Sequence, residues 1–225
     1  MSLSKCNRTV DILFEDTHLL VLNKPPGLLS QGGGSPNAVE LLQDYLGRPY
    51  VGLIHRLDCM TSGTLLVAKR TKAASRLSQA LTKGTLQRIY KVWLHGHCPH
   101  SVWENKLKKN TATNKVTAYP PTSSTGQYAC LEGWPELQTR DSTRMRMVLA
   151  TGRSHQIRAQ SAFHGHPVIG DTKYGGSGAE RMLLHAWQIT FPHPMTTEII
   201  TITAPLPEDF LTFERSQCFK PSKDD

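Results

Sequence analysis

Polar and apolar residues alternate through Val10, Ile12 and Phe14, which predicts a first strand. After the turn "EDTH", the apolar run Leu19 to Leu22 predicts a second. "NKPPGLLSQGGG" reads as a loop, because two prolines fix φ and remove donors while the glycines open the backbone. Ser35 followed by Pro36 supplies an N-cap and an N1 proline, and Val39, Leu42 and Leu46 share one face before Gly47 ends that helix. "YVGLIHRLD" and "GTLLVAKR" are both rich in apolar residues and read as extended, so Asp58 to Gly63 connects two buried strands. Thr71 caps a helix lined by Ala74, Leu77 and Leu81 that ends near Gly84. "LQRIYKVWLHG" predicts a strand centred on Ile89 and Tyr90. Residues 101 to 126 are polar and contain proline, so they read mainly as loop with a short strand from Val116 to Tyr119. Further strands are predicted at "RMRMVLA", "LLHAWQITF" and "EIITITA", and a helix at "SHQIRAQSAFHG" from a Ser154 cap to Gly165. Strands outnumber helices without alternating regularly with them, which gives an α+β class with a mixed, mostly antiparallel central sheet flanked by a few helices. No repeat or linker divides the chain. One domain over residues 9–212 is expected, with flexible termini at 1–8 and 213–225.

Composition narrows the setting. The five cysteines (Cys6, Cys59, Cys98, Cys130, Cys218) are odd in number, scattered and without a CxxC pair, so reduced thiols in a reducing compartment are expected. No run of about 18 apolar residues is present to cross a membrane, and the N-terminus lacks a signal-peptide core. A cytoplasmic location is the expectation. The net charge of +8 is concentrated: residues 50 to 110 hold eleven Lys and Arg against two acids, Asp58 and Glu104, while the rest of the chain sums to −1. A basic excess in one region points to a polyanionic partner, most often nucleic acid.

Most kinds of chemistry can be set aside from the residues. "HGHCPH" offers four potential metal ligands (His95, His97, Cys98, His100), but no second ligand pair stands elsewhere to close a tetrahedral zinc site, so no metal is expected. There is no GxSxG, no Walker lysine behind "QGGGS" and no deaminase HxE with PCxxC. "TGRSHQIR" puts His155 and Arg158 at a loop-to-helix junction, a setting suited to an anion such as phosphate or a side-chain carboxylate. What remains is Asp58, the sole carboxylate between Asp44 and Glu104, two residues after Arg56. An arginine contact favours the charged form of a carboxylate, the form required of a nucleophile or proton acceptor. No second acid lies near it in sequence to support two-carboxylate glycoside hydrolysis.

At these residues the chain resembles a known family. "HRLDCMTSG" is similar to the HRLDxxTSG signature of the pseudouridine synthases of the RluA family. "DTHLLVLNKPPGLLSQ", "QRIYKVWLHG", "TGRSHQIRAQSAFHGHPVIGDTKYG" and "LLHAWQITFPHP" follow in the family's order, so the resemblance covers roughly residues 9 to 210. It implies the pseudouridine synthase fold with a cleft across the sheet, and isomerisation of uridine in rRNA or tRNA. The reaction it implies needs no cofactor: the C1′–N1 bond breaks, the base turns and C1′–C5 forms.

The roles it implies fall on named positions. Asp58 matches the catalytic aspartate, attacking C1′ or taking a proton from C2′. Tyr90 matches the tyrosine that packs on the uracil and is a candidate to remove the C5 proton, and Arg158 matches the basic partner of the carboxylate. Arg56 matches the arginine that fills the gap left by the flipped base, and Leu183 or Leu184 would wall the pocket. Further RNA contacts are expected from His55, Thr61, Arg153, His155, Lys106, Lys108 and Lys109. The chain departs from the family's K-x-A-x-T pattern at "GQYACLEGW" (Gln127, Ala129, Leu131), which points to a different substrate preference. No S4 RNA-binding domain is expected, nor a membrane partner or an obligatory protein partner, and a monomer is expected. Two rivals are an RNA-binding protein without catalysis, which would be expected to lack one of Asp58, Tyr90 and Arg158, and a nucleosidase, for which no acid able to activate water is apparent.

Overall fold

The computed structural model describes residues 10–33 and 36–218. One sheet dominates it. Its strands are β1 (Ile12–Glu15), β2 (Leu19–Lys24), β3 (Gly52–Leu53), β4 (Ser62–Ala68), β5 (Gln87–His95), β6 (Ser101–Asn110), β7 (Lys115–Tyr119), β8 (Gln127–Gln138), β9 (Ser142–Leu149), β10 (Leu184–Pro192) and β11 (Ile199–Thr203). The spatial order is β1-β2-β4-β10-β5-β9-β8-β6-β7, with β3 paired to β4 and β11 to β10. All pairings are antiparallel except β4 with β10, where His185 and Ala186 stand opposite Ser62 and Gly63. The predicted α+β class with a mixed, mostly antiparallel sheet is the one found.

Both faces of β4 are buried, which explains its unbroken apolar run. Leu65 and Val67 pack with Ala38 and Leu42 of α1 (Ala38–Leu46), and Leu66 and Ala68 pack with Ala73, Leu77 and Ala80 of α2 (Thr71–Thr82). β5 divides in the same way: Tyr90, Val92 and Leu94 join the main core, while Trp93 packs behind the sheet with Ile169, Leu183 and Phe210. Each element thus buries one stripe on each side of a shared sheet. α3 (Gln156–Phe163) lies on the Tyr90 side, and α4 (Glu208–Cys218) covers the other through Phe210 and Phe213, whose ring stands 5.1 Å from that of Trp93.

Several local expectations are corrected. The polar stretch from Ser101 onward is a ten-residue strand, because Trp103, Asn105 and Leu107 all point inward and Asn105 Oδ1 accepts from Gln160 Nε2 at 2.8 Å. A buried hydrogen-bonded asparagine broke the apolar alternation there. Residues 213–218, expected as a flexible tail, continue α4, fixed by Phe213 and by an ion pair from Arg144 to Glu214. α1 is capped by Asn37, whose Oδ1 accepts Glu40 N at 3.2 Å; Ser35 lies outside the described residues. Thr71 and Ser154 are not caps either: Arg70 holds the N-cap of α2, and α3 begins behind His155 in the left-handed conformation, φ 49°. No described helix is long and apolar enough to cross a membrane.

Candidate active site

Asp58 stands on a turn between β3 and β4 that is fastened at nearly every carbonyl. Ser30 Oγ donates to Leu57 O at 2.8 Å and accepts from Leu57 N at 3.0 Å. Asp58 O accepts from Thr61 N at 3.0 Å, and Cys59 O from Gly27 N at 2.9 Å and from Lys24 Nζ at 3.0 Å. Met60 O accepts from Arg181 Nη1 at 3.3 Å, and Arg181 is itself paired with Asp209 of α4. Lys24 is fully buried and also donates to Pro25 O and Leu28 O. Burial pushes its pKa down to about 8, with the charges of Cys59 and Asp58 opposing the fall. At the exit of the turn, Gly63 holds φ 106°, and a Cβ there would stand 2.2 Å from Ala186 O, so only glycine allows the parallel β4–β10 contact. A turn pinned this way holds its one acid in a single place.

The Asp58 side chain, one quarter exposed, reaches across the sheet to α3, where Arg158 Nη1 donates to its Oδ2 at 2.9 Å. The other edge of that guanidinium is gripped by buried Asp171, with Nε to Oδ2 at 2.6 Å and Nη2 to Oδ1 at 2.9 Å. Burial opposes the charge on Arg158, but the hydrogen bonds and charge of Asp171, together with Asp58, outweigh it and hold its pKa above the ordinary value. The arginine is therefore a permanent cation whose orientation is set from behind. His155 Nε2 lies 3.8 Å from Asp58 Oδ1, and its Nδ1 meets Tyr174 Oη at 2.8 Å; burial lowers its pKa against the pull of Asp58.

A small recess beside Asp58 is lined by Tyr90, Leu184, Ile157 and Arg158, with Thr61 and Arg56 at its edge. It opens onto a cleft of about 1050 Å³. Burial raises the pKa of the Tyr90 phenol, opposed by Arg88 and assisted by Asp58, so the ring lines the recess in its neutral form.

Asp58, Tyr90, Arg158, Arg56, Thr61, Arg153, His155 and Leu184 thus converge. His55 and Lys109 line the larger cleft rather than the recess, and Leu183, Lys106 and Lys108 line neither. Leu183 points to the far side of the sheet with Trp93, which leaves Leu184 as the pocket wall. His55 is a buried ring whose Nε2 accepts from Leu66 N at 3.2 Å; burial and then Arg88 push its pKa down to about 3, so it is a neutral part of the scaffold. On β6, Lys109 lines the cleft. Lys106 and Lys108 alternate to the opposite face, where Lys106 stands over the Tyr128 ring at 5.9 Å. The basic segment is likewise split: Lys69 and Lys91 are paired with Glu15 and Glu136, whereas Arg153, Lys173 and Arg181 from later in the chain line the cleft. Sequence reasoning missed Lys24, Asp171 and Arg181. Each sits in a quoted motif or beside one, but only the fold reveals what it touches. Among the described residues no cluster of three metal-ligating side chains occurs, and His97 and His100 are bonded to Thr139 O and Glu132.

Comparison with protein families matches residues 18–163 to the RNA pseudouridylate synthase family. Curated relatives include the uncharacterized RNA pseudouridine synthase YjbO of Bacillus subtilis, 35% identical over 215 residues, covering 89% of this chain and 74% of that protein. Ribosomal large subunit pseudouridine synthase D of Vibrio parahaemolyticus is 31% identical, covering 90% of this chain and 69% of its own length. Synthase C of Vibrio vulnificus is 35% identical, with 88% and 66% covered, so the chain spans about two thirds to three quarters of these relatives. Among solved structures, human RNA pseudouridylate synthase domain containing 4 superposes with a TM-score of 0.78 at 20% identity over 94% of each chain, which shows the fold.

Proposed function

Because the chain belongs to the RNA pseudouridylate synthase family, we propose that it isomerises uridine to pseudouridine within rRNA or tRNA, with Asp58 as the reacting carboxylate. The observation that carries this reading is the Asp58 carboxylate at 2.9 Å from a buried Arg158, opening on a recess lined by Tyr90 and Leu184. The printed names of the ribosomal large subunit relatives put rRNA ahead of tRNA as the first substrate to try.

A uridine held in structured RNA must leave its stack before its glycosidic bond can be reached, at a cost of a few kcal/mol. Arg56, exposed at the mouth of both cleft and recess, enters the gap and stacks there. The base lies against Tyr90 and Leu184. Asp58 then attacks C1′ or takes a proton from C2′ as C1′–N1 breaks. The uracil turns, C1′–C5 forms, the C5 hydrogen passes to solvent and N1 gains a proton, so the product is an isomer of the substrate. Arg158 keeps the carboxylate charged and aimed. The neutral Tyr90 phenol suits packing against the base better than proton removal by a resident phenolate.

The test is tritium release from 5-³H-uridine rRNA and tRNA. Release from one fraction, together with pseudouridine at a discrete site, is the expected result. No release from either fraction, with intact RNA binding, would leave an RNA-binding protein instead.

A further inference from the structure

Three arginines among the described residues are buried to about nine-tenths: Arg88, Arg158 and Arg181, each 9% exposed. Arg158 is held by Asp171 and Asp58, and Arg181 by Asp209 and two backbone carbonyls. Arg88 has no carboxylate partner among the described residues. Its Nη2 reaches only Thr151 O, at 3.4 Å, and its Nε is enclosed without an acceptor. Arginine does not shed its proton to escape such a setting, and a buried charge with no compensating anion costs several kcal/mol. The other two arginines show how this fold compensates a buried guanidinium when it supplies the anion itself.

The position of Arg88 says where the missing anion comes from. Arg88 is two residues before Tyr90 on the same face of β5, roughly 7 Å along the strand, and its side chain lines the cleft. Gly152 faces it: a Cβ at that position would stand 2.6 Å from Nη1 and 3.0 Å from Nη2, so the glycine leaves the guanidinium its place. Beside it, His55 Nε2 accepts from Leu66 N, which leaves Nδ1 as the protonated nitrogen of a neutral ring, and that nitrogen too is buried without an acceptor. Two cleft-lining side chains, Arg88 and His55, thus each hold a buried donor with no acceptor among the described residues.

We infer that Arg88 is the core of a phosphate site, holding one backbone phosphodiester of the RNA next to the nucleotide that enters the recess at Tyr90. The inference rests on the reading of the cleft as an RNA site and names a contact within it. Guanidinium forks match phosphate oxygens in pairs, and a strand threaded past Arg88 supplies the anion that the protein withholds.

The experiment is equilibrium binding of a labelled substrate RNA to wild type, R88Q, R88K and G152A, from about 50 to about 200 mM KCl. Loss of one phosphate contact lowers the slope of log K against log salt by roughly 0.7 to 0.9. R88Q is expected to bind more weakly with that flatter slope, R88K to recover the slope but not the full affinity, and G152A to weaken binding by displacing a charge still present. If R88Q does not fold, G152A alone decides. R88Q or G152A matching wild type in affinity and slope would overturn the site. A wild type that binds no RNA would instead overturn the reading of the cleft, and the site with it. Millimolar inorganic phosphate raising the melting temperature of wild type but not R88Q, with RNA binding unchanged between them, would make this a free-anion site and also overturn the assignment.

Discussion

Asp171→Asn isolates the device that aims the reacting carboxylate. Asp171 is 3% exposed and accepts two hydrogen bonds from Arg158, whose remaining edge holds Asp58 at 2.9 Å. Asparagine keeps the shape but offers one acceptor, and turns an amide N–H toward an arginine donor. One charge-assisted hydrogen bond, about 1.5–3 kcal/mol, is lost outright. Removing a whole partner from a buried ion pair costs about 3–5 kcal/mol. With one contact retained, a loss of about 2–4 kcal/mol follows, a fall in melting temperature of roughly 5–15 °C for a chain of this size. Arg158 then turns toward its one remaining anion and carries Asp58 with it. A displacement on the order of 1 Å is enough for a drop of about 10²-fold in turnover. The assay pairs thermal unfolding with single-turnover tritium release at saturating RNA, and affinity is expected to change less than twofold. A variant that melts within a degree of wild type and turns over at full rate would refute the argument that Asp171 sets the arginine.

Lys24→Met strips one buried donor from three carbonyls, including Cys59 O beside the reacting residue. Unfolding in urea should show a loss of about 2–4 kcal/mol, with turnover falling more than RNA affinity; unchanged turnover would mean that the turn keeps its shape unaided. The buried histidines set an acid limit. Burial pushes the pKa of His55 down to about 3 and that of His185 to about 4, from 6.5. Below pH 6.5 the unfolded chain therefore binds protons that the folded one does not. Stability is full above that pH and is lost toward pH 3–4, at roughly 1.4 kcal/mol per unit for each group. Denaturation midpoints at pH 7.5 and 4.5 check this, His185→Gln should flatten the dependence, and stability that holds or rises on acidification would contradict it.

What the sequence made legible was local. Strands with clean alternation or unbroken apolar runs, such as those at Leu19 and Leu184, stand where the pattern put them, because burial on one face or both leaves a periodic trace. β6 buries Asn105, so the polar reading of residues 101 to 126 hid that strand, and β8, which carries Pro135 beside a break in register, was not predicted at all. α4 has a weak apolar stripe, and what fixes it is a pair of phenylalanines against Trp93 and Ile169, which the helix pattern alone does not single out. At the site, Asp58 and Arg158 lie one hundred residues apart and were paired only through the family resemblance. Asp171 and Lys24 were not singled out, since nothing local distinguishes a buried, fully bonded ion from a solvated one. His55 lines the cleft as expected of it, but as a buried ring that accepts from Leu66 N, whereas its neighbour Arg56 is exposed, a difference that the two adjacent polar letters do not reveal.

The central claim is that Asp58 performs the chemistry rather than balancing charge. Single-turnover pseudouridine formation by wild type and Asp58→Asn on the same RNA, with affinity measured alongside, tests it most directly. Asp58→Asn is expected to bind the RNA within a few-fold of wild type and to form no detectable pseudouridine. Product at the wild-type rate from that variant would contradict it.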